Sequence, residues 1–196
     1  MNDMLPMTFF ALAASISPGP VNVVALGLGA RHGITVSMRH VTGATLGFTL
    51  LLLLAGFGLR GLLALWPWLT MALHWAGILF LLYMAFRLAR DDGSLPIGAV
   101  GQEASLLAGA GMQWLNPKAW LAAVAGVGTF AGNGEPHRLW VFAAIYFMVC
   151  YLSLASWALA GAMMRTALQT PARLRVLNAV LALCLVGSAG YLLLAS

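Results

Sequence analysis

Ser17-Pro18-Gly19-Pro20-Val21-Asn22 and Asn116-Pro117-Lys118-Ala119 each interrupt a long apolar run, and Pro18 and Pro117 stand 99 residues apart in a chain of 196. Proline has no N–H to give a helix, and its ring clashes with the preceding turn, so both runs are expected to break here. At bilayer depth, broken backbone is tolerated only inside protein or beside a water-filled cavity. Two breaks half a chain apart predict two repeats, each opening with a broken membrane helix, and a substrate site where the breaks meet.

Composition sets the membrane context. The chain is 62% hydrophobic and 8% charged, with mean hydropathy +0.92, far outside the range of soluble domains. Six apolar segments, residues 5–30, 41–59, 68–88, 104–130, 139–164 and 176–195, are long enough for ~30 Å of hydrocarbon, which takes about 20 helical residues. The first is not expected to be a cleaved signal peptide: it has Asp3 in place of a basic start, exceeds the usual apolar length, and is interrupted by Ser-Pro-Gly-Pro.

The net charge of +5 is a topology signal and does not point to nucleic acid. Connections after the first, third and fifth segments hold Arg31, Arg39, Arg87, Arg90, Arg165, Arg173 and Arg175, while the opposite side has only Arg60 and Arg138. The positive-inside rule places the richer side in the cytoplasm and both termini on the opposite, outer side. Contacts with anionic lipid suit the same charges.

No extramembrane domain fits into the remaining residues. The gap 89–103, with Asp91-Asp92-Gly93-Ser94 and Pro96, reads as a polar connector between halves. Three helices per half require the second half to enter from the opposite side. The expected fold is therefore an all-α integral membrane protein: one domain, 1–196, of six transmembrane helices in two inverted three-helix repeats, about 1–98 and 99–196, with helices 1 and 4 broken at Pro18 and Pro117. The same offset pairs Gly27 with Gly126 and Gly29 with Gly128. Gly43-x-x-x-Gly47 and Gly128-x-x-x-Gly132 are spacings that let helix backbones approach. Internal packing is their ordinary use, and a homodimer through the second segment is the alternative.

Chemistry concentrates at the breaks. A half-helix resuming near Val21 points free N–H groups and the positive end of its dipole at the bilayer centre, and segment 4 does the same after Asn116-Pro117. Helix N-termini receive anions without a charged side chain. The carbonyls around Ser15–Ser17 and Trp114–Asn116 suit a cation, so the pair of breaks suits a zwitterion. Lys118 lies deep in its segment, where an ammonium costs about 2.5–3.5 kcal/mol on insertion scales. It is expected to bind a substrate carboxylate or steer a coupling proton; a bond to freed backbone carbonyls is the structural alternative. Asn22 and Asn116 are its natural companions, and Asn116 also fits as a helix cap.

The run Pro18-Gly19-Pro20-Val21-Asn22, followed by Gly27, Arg31, Gly33, Gly43 and Gly47, resembles the opening signature of the LysE/RhtB amino-acid exporter family. Asn116-Pro117-Lys118-Ala119 is similar to that family's second motif, and the stretch 177–194 to its last helix. The resemblance covers essentially the whole chain. It implies a secondary transporter that exports amino acids or related small zwitterionic metabolites across the inner membrane in exchange for protons. Ser17, Pro18, Gly19, Asn22, Asn116, Pro117 and Lys118 occupy the matching motif positions, and their expected role in binding substrate rests on the helix-dipole argument.

Some family members carry an acid in the second segment, where this chain has Gly43-Ala44-Thr45-Leu46-Gly47-Phe48. With Asp3 and Glu103 at segment edges and no acid deep in any segment, a neutral amino acid is the expected substrate. His74, beside Trp75, reads as an interfacial packing residue; His32, His40 and His137 fall in loops. Trp66, Trp68 and Trp140 look like interface anchors, while Trp114 and Trp120 flank the second break and suit the wall of a cavity. Cys150 and Cys184 are single, in no metal-binding or redox pattern, so no cofactor or metal is expected. An ion or metal exporter of related architecture is the alternative function, although it would need carboxylate, Cys or His ligands gathered at one depth. A hydrolase would need a nucleophile with a base: no GxSxG surrounds Ser17 and no histidine shares its depth.

Overall fold

The computed structural model describes residues 3–59, 104–131, 136–164 and 170–194, with scattered helical positions between 71 and 90. Along the chain run α1 (Met4–Ile16), α2 (Pro20–His32), α3 (Ile34–Leu54, continued by a π-helical turn over Ala55–Leu59), α4 (Leu106–Trp114), α5 (Pro117–Phe130), α6 (Pro136–Met164) and α7 (Pro171–Leu194). Four of these helices open on proline, whose fixed φ suits the first helical position and whose missing N–H costs nothing there. Ile34–Gly58 and Pro136–Met164 are each long and apolar enough to cross a membrane. The pair α1 and α2, bent by 61° at its break, counts as a third span. Outward-facing Leu46, Leu50, Met148, Leu152 and Leu183 are all exposed, as lipid-facing residues are.

Both breaks fall at the expected prolines. The second span begins at Ile34, ahead of the expected residue 41. Gly33, at φ 80, turns the chain so tightly that α3 follows α2 directly, and its N–H closes α2 on Gly29 O. His40 is consequently no loop residue: it is fully buried within α3. His32 is the last residue of α2, and His137 lies exposed in the first turn of α6. Most of the expected third segment and of the connector 89–103, with His74, Trp66, Trp68, Arg60, Arg165 and Gly132, lies outside the described residues.

Between lipid-immersed helices there is little hydrophobic driving force, so close backbone approach must do the packing. α2 crosses α6 where Gly29 lies on the Ala158 carbonyl and Gly161 on the Leu26 carbonyl. α3 crosses α4 in the same reciprocal way, Gly43 against Leu106 O and Gly109 against His40 O, with Gly47 against Ala110. The Gly43/Gly47 face is thus filled by α4 within the chain. The glycines paired by the offset of 99 are not equivalent. Gly29 and Gly126 are tightly packed, whereas Gly128 is exposed and Gly27 only touches Leu181. Hydroxyls in these apolar helices bond back to the preceding turn, as Ser37 does to Gly33 O, Thr45 to Val41 O and Thr49 to Thr45 O.

The bundle end that carries Asp3 is closed by rings. Phe10 of α1 meets Phe130 of α5 edge-on at 5.7 Å, Phe130 meets Phe142 of α6 at 5.2 Å, and Phe142 meets Tyr146 at 5.6 Å. Above them Arg138 pairs with Asp3 and donates from Nε to Phe130 O.

Candidate functional site

α1 ends at Ile16 because Ser17 is extended (φ −62, ψ 141) and Pro18 and Pro20 withhold two donors. Its last carbonyls have no partners within the helix, and in an apolar setting each needs one. Three other helices supply them. Asn22 Nδ2 of α2 donates to Ser15 O at 2.8 Å, and Trp157 Nε1 of α6 donates to Ile16 O at 3.0 Å. Lys118 Nζ of α5 donates to Ser17 O and Ser17 Oγ, both at 2.8 Å, with Pro18 O at 3.4 Å. The expected cation at Ser15–Ser17 is therefore supplied by the chain itself. Trp157→Phe, which keeps the ring and removes the donor, should lower stability by about 1–3 kcal/mol, read as a lower unfolding midpoint in detergent.

The second break is built differently. Asn116 is the N-cap of α5: its Oδ1 accepts from Lys118 N at 3.1 Å, and its own carbonyl accepts from Ala119 N at 2.9 Å and Trp120 N at 3.4 Å. Asn116 Nδ2 reaches Gln113 Oε1 at 3.4 Å, and Trp120 Nε1 donates to Trp114 O at 2.8 Å. Trp114 and Trp120 meet edge-to-face at 6.1 Å and close the end of α4; contrary to expectation, neither lines the cavity. Trp140 is exposed and packs on Phe57.

A cavity lies between the breaks, with about 340 Å³ of empty space including its open mouth. The volume it encloses is about 30 Å³, room for one or two water molecules and far below the roughly 300–1,000 Å³ of small-molecule sites. Of the expected site residues, Asn22, Asn116 and Lys118 line it. Ser17, Pro18 and Gly19 form the break behind Lys118, and Pro117 is buried at the start of α5. Ser15, expected to offer only its carbonyl, also lines it, and so do Gln113, Tyr146 and Cys150, which the sequence did not single out as ligands. Tyr146, Cys150 and Leu154 form a four-residue-spaced stripe on α6, and Phe48 stacks on Tyr146 at 4.3 Å. Tyr146 also belongs to the ring cluster, so the cavity is floored by the aromatic layer. No Asp or Glu among the described residues lines the cavity. Among the described residues, no group of three or more His, Cys, Asp or Glu is placed to hold a metal ion.

The family model described as LysE type translocator matches residues 12–196. The chain is 29% identical over 194 residues to a cysteine/O-acetylserine efflux protein of Salmonella typhimurium, covering 95% of this chain and 96% of that one. It is 29% identical over 179 residues to the protein of the same name in Escherichia coli, covering 90% of each. The Klebsiella pneumoniae protein of that name is 28% identical over 157 residues, 78% of each chain. No solved structure gives a significant match.

Proposed function

Because the chain belongs to the LysE type translocator family, we propose that it exports small neutral amino acids, of the size and charge of cysteine and O-acetylserine, across the bacterial inner membrane. The cavity between the two breaks carries the proposal: it is small, mixes apolar with polar side chains, has no acid among the described residues, and has an ammonium fixed at its edge. Ser17, Pro18, Gly19, Asn22, Asn116, Pro117 and Lys118 make up the substrate site. A ligand with one carboxylate and no second positive charge suits it.

The transporter is a secondary one coupled to protons, working by movement of two inverted three-helix repeats, about 1–98 and 99–196, with both termini periplasmic. In support, Gly19 and Lys118, equivalent under the offset of 99, lie against each other: a Cβ at Gly19 would stand 3.3 Å from Lys118 Nζ. Positions on a pseudo-twofold axis meet in this way.

Overexpression in a strain fed an amino-acid panel should raise external cysteine, O-acetylserine, threonine or leucine several-fold over a vector control. Selective export of lysine and arginine would overturn the neutral-substrate reading. A protonophore should abolish the export; persistence at the full rate would remove proton coupling.

A further inference from the structure

We infer that the two breaks are chemically unequal and that the substrate's carboxylate is received at the N-terminus of α2 alone. The inference rests on the amino-acid exporter reading above.

At α5 the first-turn donors are already taken, since Lys118 N, Ala119 N and Trp120 N all bond to Asn116. At α2 the cap is Gly19, which has no side chain to offer, and the first helical residue is Pro20. Val23 N bonds to Gly19 O at 2.9 Å, but Val21 N and Asn22 N have no acceptor among the described residues. Val21 and Asn22 are 2% and 5% exposed, so these donors are desolvated, and both residues line the cavity. Two unpaired N–H groups at the positive end of a helix are a receptor for a carboxylate.

A second feature points to the same ligand. Ser15, 8% exposed, lines the same cavity, and its Oγ sits beside Tyr146 and Cys150 without a well-formed hydrogen bond. Asn22 donates one of its two Nδ2 hydrogens to Ser15 O, and its Oδ1 accepts nothing from the described residues. A carboxylate on Val21 N and Asn22 N leaves these oxygens for the ammonium of the same molecule. Lys118 is not a direct ligand in this arrangement. Its ammonium has three donors, and the structure aims them at Ser17 O, Ser17 Oγ and Pro18 O.

Gly19 provides the test. Its backbone (φ −166, ψ 172) is extended and open to any residue, and an added Cβ would meet only the mobile end of Lys118 at 3.3–3.4 Å and Asn22 Oδ1 at 3.7 Å. Gly19→Ser and Gly19→Asp place an oxygen where a helix cap accepts from the second and third N–H groups, here Val21 and Asn22. Gly19→Ala adds the bulk without the oxygen. The purified full chain is melted in detergent with and without O-acetylserine, and its export is measured in cells.

Relative to Gly19→Ala, both oxygen-bearing variants should melt higher without ligand, lose most of the O-acetylserine shift, and need at least tenfold more substrate for half-maximal export. The carboxyl methyl ester of O-acetylserine should not stabilise the unmodified protein. Equal shifts and half-saturation in Gly19→Ala, Gly19→Ser and Gly19→Asp would overturn the inference, as would stabilisation by the ester equal to that by the acid, while leaving the exporter reading intact. Absence of amino-acid export and of any thermal shift in the unmodified protein would overturn the exporter reading and this inference with it.

Discussion

Lys118→Ala and Lys118→Met should reduce export to below a tenth of the unmodified rate while leaving insertion in the membrane intact. The reason is the end of α1. Removing the ammonium strips Ser17 O and Ser17 Oγ of their 2.8 Å donor at a point where α1 has no further helical partners to give. A polar group left unsatisfied away from water costs about 1–3 kcal/mol, more when a charged bond is lost. The unfolding midpoint in detergent should fall accordingly, and the end of α1 should detach from α5, opening one wall of the cavity. Methionine matters because it restores nearly all the bulk of lysine, so a defect shared with alanine belongs to the lost donors. Export by either variant at the unmodified rate would make Lys118 a filler and end its assignment to the site.

Gly29→Ala and Gly161→Ala should each destabilise the protein by about 3 kcal/mol or more, at the upper end of the usual cost of overpacking. In both cases the added methyl meets backbone, the Ala158 carbonyl in one and the Leu26 carbonyl in the other. Backbone in the middle of a helix cannot swing aside as a side-chain end can, so α2 and α6 must part along their whole crossing. The double variant should cost less than the sum, because a crossing already separated has room for the second methyl. Gly111→Ala and Gly187→Ala are the controls. Nothing stands within 4 Å of either added methyl, and alanine there should be neutral or stabilising by up to about 1 kcal/mol through its better helix propensity. Equilibrium unfolding in detergent measures all five.

The parts of this molecule written in short-range chemistry were legible in the sequence. Pro18, Pro20 and Pro117 act on their own backbone, so the breaks, the resumption of helix at Pro20 and Pro117, and the cap at Asn116 follow from neighbours within a few residues. Gln113, Tyr146 and Cys150 were not legible as cavity residues. α6 is apolar on nearly every face, so nothing in its pattern distinguishes the side that meets the cavity from the side that meets lipid. The start of α3 was hidden for the opposite reason: Ser37, Arg39 and His40 lower the local hydropathy, yet Ser37 and His40 are fully buried and belong to the helix. The partners of the α1 carbonyls depend on pairs more than 100 residues apart, Ser17 with Lys118 and Ile16 with Trp157, which no local pattern encodes.

The facing of helix ends at the cavity sets its overall charge. Each of the two breaks brings one helix C-terminus and one N-terminus together, equivalent to about −0.5 and +0.5 of a charge, so each break sums to nearly zero. Lys118 adds one positive charge, and among the described residues no Asp or Glu lines the cavity to offset it. The empty cavity is therefore about one unit positive. Under the proposed function, the carboxylate of an amino acid with a neutral side chain would find that charge attractive. Lysine or arginine brings a second cation, which at 4 Å and an effective dielectric of 20 is repelled by about 4 kcal/mol. If the proposed export function holds, a cationic side chain brought that close to Lys118 would be disfavoured nearly a thousandfold.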